Sequence, residues 1–174
     1  MNFKKYITYA GLALVAFALC YFIKQETLAS LLEKLIFNAV SILVGLSIAV
    51  IGIFLSSINT IYLSIYKIVK VKDQVIFTDK EIKKIKGELS VLVDELKENA
   101  LFSVYAFITV LLLFFAKEID IPHLQWFIQD SFLTKAFCTN VVIMFGNFLI
   151  FWAIIDSIKV VFQITKAFEL MQDN

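Results

Sequence analysis

The chain contains no arginine: all sixteen of its basic residues are lysine. That absence excludes arginine fingers, gating-charge arrays and bidentate guanidinium clamps on phosphate. A single proline, Pro122, and only five glycines leave long stretches without a helix breaker and no glycine-rich phosphate loop. One histidine, His123, is too little for metal catalysis or a Ser-His-Asp triad. The two cysteines, Cys20 and Cys138, sit in apolar stretches and make no disulfide framework. With a net charge of +1 the chain offers no footprint for nucleic acid. No cofactor and no enzymatic activity are expected.

What the chain does have is apolar surface. Sixty per cent of its 174 residues are hydrophobic, and the mean hydropathy is +0.85. A soluble chain this short could not bury so much, so a bilayer is the expected solvent. Four segments free of charge stand out, at residues 6–23, 36–66, 100–116 and 136–155. The expected fold class is all-α, a polytopic membrane protein with four transmembrane helices and helical cytoplasmic extensions. About 20 residues cross a ~30 Å hydrocarbon core. The third segment is slightly short, with Lys117 placed to snorkel at its end. The second, at ~1.5 Å per residue, runs to roughly 46 Å, so one end must protrude. The first also reads as a signal peptide, with Ala16-Phe17-Ala18 as a passable cleavage site. Leu19 spoils the lipoprotein box before Cys20, and retention as a span is expected.

The lysines set the orientation. Lys4 and Lys5, eight lysines from Lys67 to Lys97, and Lys159 and Lys166 fall on one side, against Lys24, Lys34, Lys117 and Lys135 on the other. Both termini are therefore expected in the cytoplasm of a cell whose inner membrane holds the protein. The same side receives a predicted helical hairpin over residues 67–99 and a C-terminal helix over 156–174. Thr78 with Glu81 forms a capping box, with Phe77 and Ile82 as its hydrophobic staple. Beyond it Ile82, Ile85, Leu89, Leu92 and Leu96 step by three and four, the spacing of a coiled-coil seam. One helix is thus predicted from about Asp79 to Ala116. Its seam has two readings: closure against Ile58, Ile61, Ile65 and Ile68 within the chain, or contact with another subunit or a soluble partner.

Within the membrane, Asn38, Ser41, Gly45, Ala49, Gly52, Ser56 and Asn59 share one face of the second segment. Small residues let helix backbones approach closely, and in lipid packing and interhelical hydrogen bonds supply the cohesion. Packing within the chain is the favoured reading, with a subunit interface or the wall of a narrow aqueous path as alternatives. The fourth segment adds Gly146 in a row with Thr139 and Ala153, flanked by Asn140 and Asn147, which need partners inside a bundle. Asp156 lies just past this span, in reach of Lys159 one turn on. No carboxylate lies inside a span to relay protons, which argues against an ion-coupled transporter. Pro122 suits the first turn of a short outer helix, with Trp126, Phe127 and Phe132 at the interface.

In its architecture the whole chain resembles the small membrane subunits of bacterial antiphage systems, the KwaA-like subunits of Kiwa in particular. The resemblance carries no motif, so no site residue follows from it. It implies an oligomeric inner-membrane sensor that recruits a cytosolic effector. The functional expectation is a non-enzymatic, homo-oligomeric sensor or scaffold, embedded in lipid, that presents a helical platform to a cytosolic protein. The alternative is a small channel lined by the small and polar face of the second span, which needs no charge to conduct.

Overall fold

A computed structural model describes residues 3–53, 79–119 and 134–172. Among these residues the chain is all-helical, with four helices: α1 (Phe3–Phe22), α2 (Gln25–Ile53), α3 (Asp79–Glu118) and α4 (Lys135–Gln172). Helices α2, α3 and α4 are long and apolar enough to cross a membrane, and α1 carries a shorter apolar run, Tyr6–Phe22. These are the marks of a multi-pass membrane protein. Side chains on α1 agree with that setting: Ala16 and Cys20 are buried, whereas Leu14 is 71% and Phe22 is 82% exposed. An apolar surface of this extent is at home in lipid rather than in water.

The second helix begins earlier than the hydropathy suggests. It starts at Gln25, not near Ile36, and the residues between, expected as an outer loop, are helical. Lys24, Glu26, Glu33 and Lys34 lower the local hydropathy, yet Leu28 and Leu32 step by one turn and are fully buried. Glu26 in the first turn also suits the positive end of the helix dipole. Within α2, an α-helical stretch Gln25–Lys34 passes into a wider π-helical turn, Leu35–Val40, and then returns to α-helix over residues 41–53.

Sequence spacing explains the wide turn. The buried row Leu28, Leu32, Ile36, Val40 and Val44 repeats every four residues. In an α-helix each such step overshoots a full turn by about 40°, so Leu28 and Val44 would diverge by about 160°. One extra residue absorbed in a π turn returns about 100° of that drift and keeps the row on one face. Ser41 N–H donates to Ile36 O, five residues back. The carbonyl it would take in an α-helix, Phe37 O, accepts the Ser41 hydroxyl instead.

The third helix is one unbroken element of 40 residues, from Asp79 as the capping signal predicts. Thr78 itself, the 67–78 stretch, and the outer segment with Pro122, His123, Trp126, Phe127 and Phe132 lie outside the described residues. The fourth helix continues well past Asp156 to Gln172, as its spacing predicts. Thr134 caps its start, its hydroxyl accepting from Phe137 N–H at 3.2 Å.

The chain divides into two compact units. The first combines Met1–Val44 with Phe102–Ala153. Its interior holds Val110, Phe137, Ile143 and Ile150, with Phe17 edge-on to Phe137 at 5.5 Å and Phe37 edge-on to Phe114 at 5.8 Å. Here the Val110 side chain packs directly over Gly146: a Cβ placed there would stand 2.5 Å from Val110 Cγ2. The second unit combines Gly45–Leu101 with Ile154–Asn174. Its core is Ile51, Leu89, Val93, Leu96, Val160 and Ile164, flanked by Leu92, Ala100 and Val161.

Candidate functional site

The seam of α3 runs on a heptad-like path through Leu89, Val93, Leu96, Ala100, Ser103, Phe107 and Val110, all buried or half-buried. It therefore extends well beyond the five positions that the sequence singled out. The opposite face changes character along the helix. It shows Ser90, Asp94, Lys97 and Glu98 to the exterior, and then Leu101, Tyr105, Ile108, Leu112 and Phe115. The inner face stays apolar except at buried Ser103, while the outer face, polar and charged up to Glu98 apart from Val91, is largely apolar from Leu101 on.

Where the seam is described, it faces its own chain. Leu89 and Leu96 are buried and Leu92 is half-buried against the core that Val160 and Ile164 of α4 complete. Of the two readings of the seam, closure within the chain is the one seen at these positions, where Leu89 and Leu96 are spent in closing the second unit. Packing against Ile58, Ile61, Ile65 and Ile68 falls outside the described residues, as do the side chains of Ile82 and Ile85. The surfaces the unit leaves outward are Val91, Asp94, Lys97 and Glu98 on α3, with Ile158, Phe162 and Lys166 on α4. Phe162 is 70% exposed.

A polar contact joins α3 and α4 within this unit. Asn99 Nδ2 donates to Asp156 Oδ2 at 3.5 Å, and Lys159 Nζ lies 3.9 Å from Asp156 Oδ1. The Lys159 pair that the spacing predicts is thus present, with Asn99 as a contributor that the sequence did not reveal. The Lys159 side chain is half-exposed, so this pair is worth little on its own, of order 0.2–1 kcal/mol.

Asn140 and Asn147 are both fully buried in the first unit. Asn140 Nδ2 donates to Gln25 Oε1 at 3.5 Å, and Asn147 Nδ2 donates to Ile143 O on its own helix at 2.9 Å. Among the described residues the Oδ1 atom of each has no hydrogen-bond partner. Only half of each amide is satisfied, and Gln25 enters as a partner because α2 starts so early.

The small-residue face of α2 meets a different fate. Asn38, Gly45, Ala49 and Gly52 are exposed, and a Cβ at Gly45 or Gly52 would meet nothing within 4 Å. Close packing of this face within the chain, the favoured expectation, is not seen at these positions among the described residues. Small residues permit a close approach without specifying one, and α2 packs instead through its larger Leu, Ile and Val row. Ser41 has the local task of covering Phe37 O. Ser56 and Asn59 lie outside the described residues. Gly146, by contrast, makes the close approach that its row implies.

Among the described residues no group of three or more His, Cys, Asp or Glu side chains could hold a metal ion. The chain matches no protein-family model, no curated protein and no solved structure.

Proposed function

We propose that this chain is a four-span, non-enzymatic protein of the cytoplasmic membrane that assembles with copies of itself and presents a helical platform to a soluble partner. One observation carries the reading: the outer face of α3 turns from charged to apolar at Leu101 while its inner seam runs on unbroken. At ~1.5 Å per residue, α3 is about 60 Å long, roughly twice the hydrocarbon thickness. A helix with these two faces stands half in lipid and half in water. The lysine asymmetry supports a cytoplasmic position for the wet half and for both termini. The apolar run of α1, about 26 Å at the same rise, serves as the remaining span.

Because the seam is occupied, the platform's contact surface is its outward side, around Val91, Asp94 and Glu98 of α3 and Phe162 of α4. The exposed face at Gly45, Ala49 and Gly52 is available for contact between copies. Architecture alone supports antiphage defence, of the kind served by KwaA-like subunits, as the setting. The test is purification in mild detergent of the wild type and of a Val91→Asp, Phe162→Asp variant. The reading expects a soluble protein to accompany the former and not the latter. Single-channel current from the purified protein alone, with no companion, would favour the channel instead.

A further inference from the structure

The geometry of α2 points to a movable wide turn: we propose that the π turn at Leu35–Val40 exchanges with an equivalent turn over residues 41–46. The inference rests on this helix alone and is independent of the proposed platform. A π turn costs a hydrogen-bonding register, and here the cost falls on one carbonyl. Ser41 N–H reaches back to Ile36 O, and the Ser41 hydroxyl covers Phe37 O. Ser47 stands six residues further on, one π-turn length. If the wide turn moves to 41–46, Ser47 N–H reaches Ile42 O and its hydroxyl covers Leu43 O in the same way. No other residue from Leu35 to Ile53 offers a hydroxyl.

Moving the turn leaves residues before Leu35 and after Ser47 in place, because the number of inserted residues is unchanged. Between the two positions the helix turns on its axis, by up to about 100° near Val40. Ala39 then enters the site that Val40 now fills, and Val40 moves to the site of Ser41. Ala39 and Ser41 are both half-buried and Val40 is buried, so the exchange swaps one apolar side chain for another. No charge lies between Leu35 and Ile53, so none is carried into the interior. The same turn takes exposed Asn38 toward the half-buried position of Ala39. The second helix thereby has two arrangements of one face between fixed ends.

The experiment uses the full chain in detergent with Cys20→Ala and Cys138→Ala as background. Ala39→Cys and Val40→Cys are introduced singly, and the labelling rate of each with N-ethylmaleimide is measured. Each is then combined with Ser41→Ala or Ser47→Ala. Removing the Ser41 hydroxyl disfavours the present turn, so labelling at position 40 should rise and at position 39 should fall. A change of about fivefold in their ratio corresponds to one neutral hydrogen bond. Ser47→Ala should move the ratio the other way or leave it at its starting value. A ratio unaltered by Ser41→Ala, or a rise at both positions from general loosening, overturns the proposal.

Discussion

Gly146→Ala adds one methyl group and should destabilise the protein, although the same change in an open helix does the opposite. Ala exceeds Gly in helix propensity by about 1 kcal/mol, so the default expectation is a gain. At Gly146 the new Cβ would lie 2.5 Å from Val110 Cγ2, well inside van der Waals contact. Val110 is itself buried, so its methyl group has little room to retreat. Overpacking of this kind typically costs ~1–3 kcal/mol, enough to cancel or exceed the propensity gain. Two companions sharpen the reasoning. Gly87→Ala, where a Cβ meets nothing within 4 Å, should stabilise by roughly 0.5–1 kcal/mol. Val110→Ala should relieve the clash, so that its combination with Gly146→Ala costs less than the two changes summed, by roughly 0.5–3 kcal/mol. Denaturation of the purified protein in mixed micelles, followed by circular dichroism, reads all four variants. An additive cycle, or a Gly146→Ala protein as stable as Gly87→Ala, would refute the close approach of α3 and α4.

Three further changes probe other parts of the account. Leu96→Ala removes a fully buried side chain from the second unit and should cost roughly 2–5 kcal/mol in the same assay; a loss under 1 kcal/mol would mean that this core does not form. Asn147→Leu should be neutral or stabilising, since it removes a buried carbonyl oxygen that has no partner, and near-isosteric apolar replacement of such groups is well tolerated. A large loss of stability would show that Oδ1 has a partner after all. Gly45→Leu meets open space and should leave the stability of the isolated chain unchanged while weakening its self-association, read by light scattering in detergent. Should the assembly persist, that face of α2 contacts lipid.

How legible this was depended on whether local sequence or tertiary contact decided the matter. The continuity of α3 was legible, because a capping signal, an absence of breakers and a three-four apolar spacing all act within the helix itself. The start of α2 was not. Hydropathy averages over Lys24, Glu26, Glu33 and Lys34, whereas the helix answers to the one-turn spacing of Leu28 and Leu32. The wide turn left a trace in the strict four-residue row from Leu28 to Val44, but reading it requires knowing that all five residues are buried together. Of the small residues, Gly146 meets a neighbour and Gly45 and Gly52 do not, since the absence of a side chain states what could approach and not what does. The seam was recognised, but its neighbour, Val160 and Ile164 of α4, could not be. Apolar stripes on several helices have the same period, and only the fold selects which two meet.

The orientation of the chain in the membrane tests the central claim most directly. Reporter fusions at Met1, within residues 73–78 and at Asn174 should all register in the cytoplasm, and one between Ile119 and Thr134 should register on the far side. A periplasmic signal from the 73–78 fusion, or from Asn174, would contradict a four-span protein whose long α3 and α4 reach into the cytoplasm.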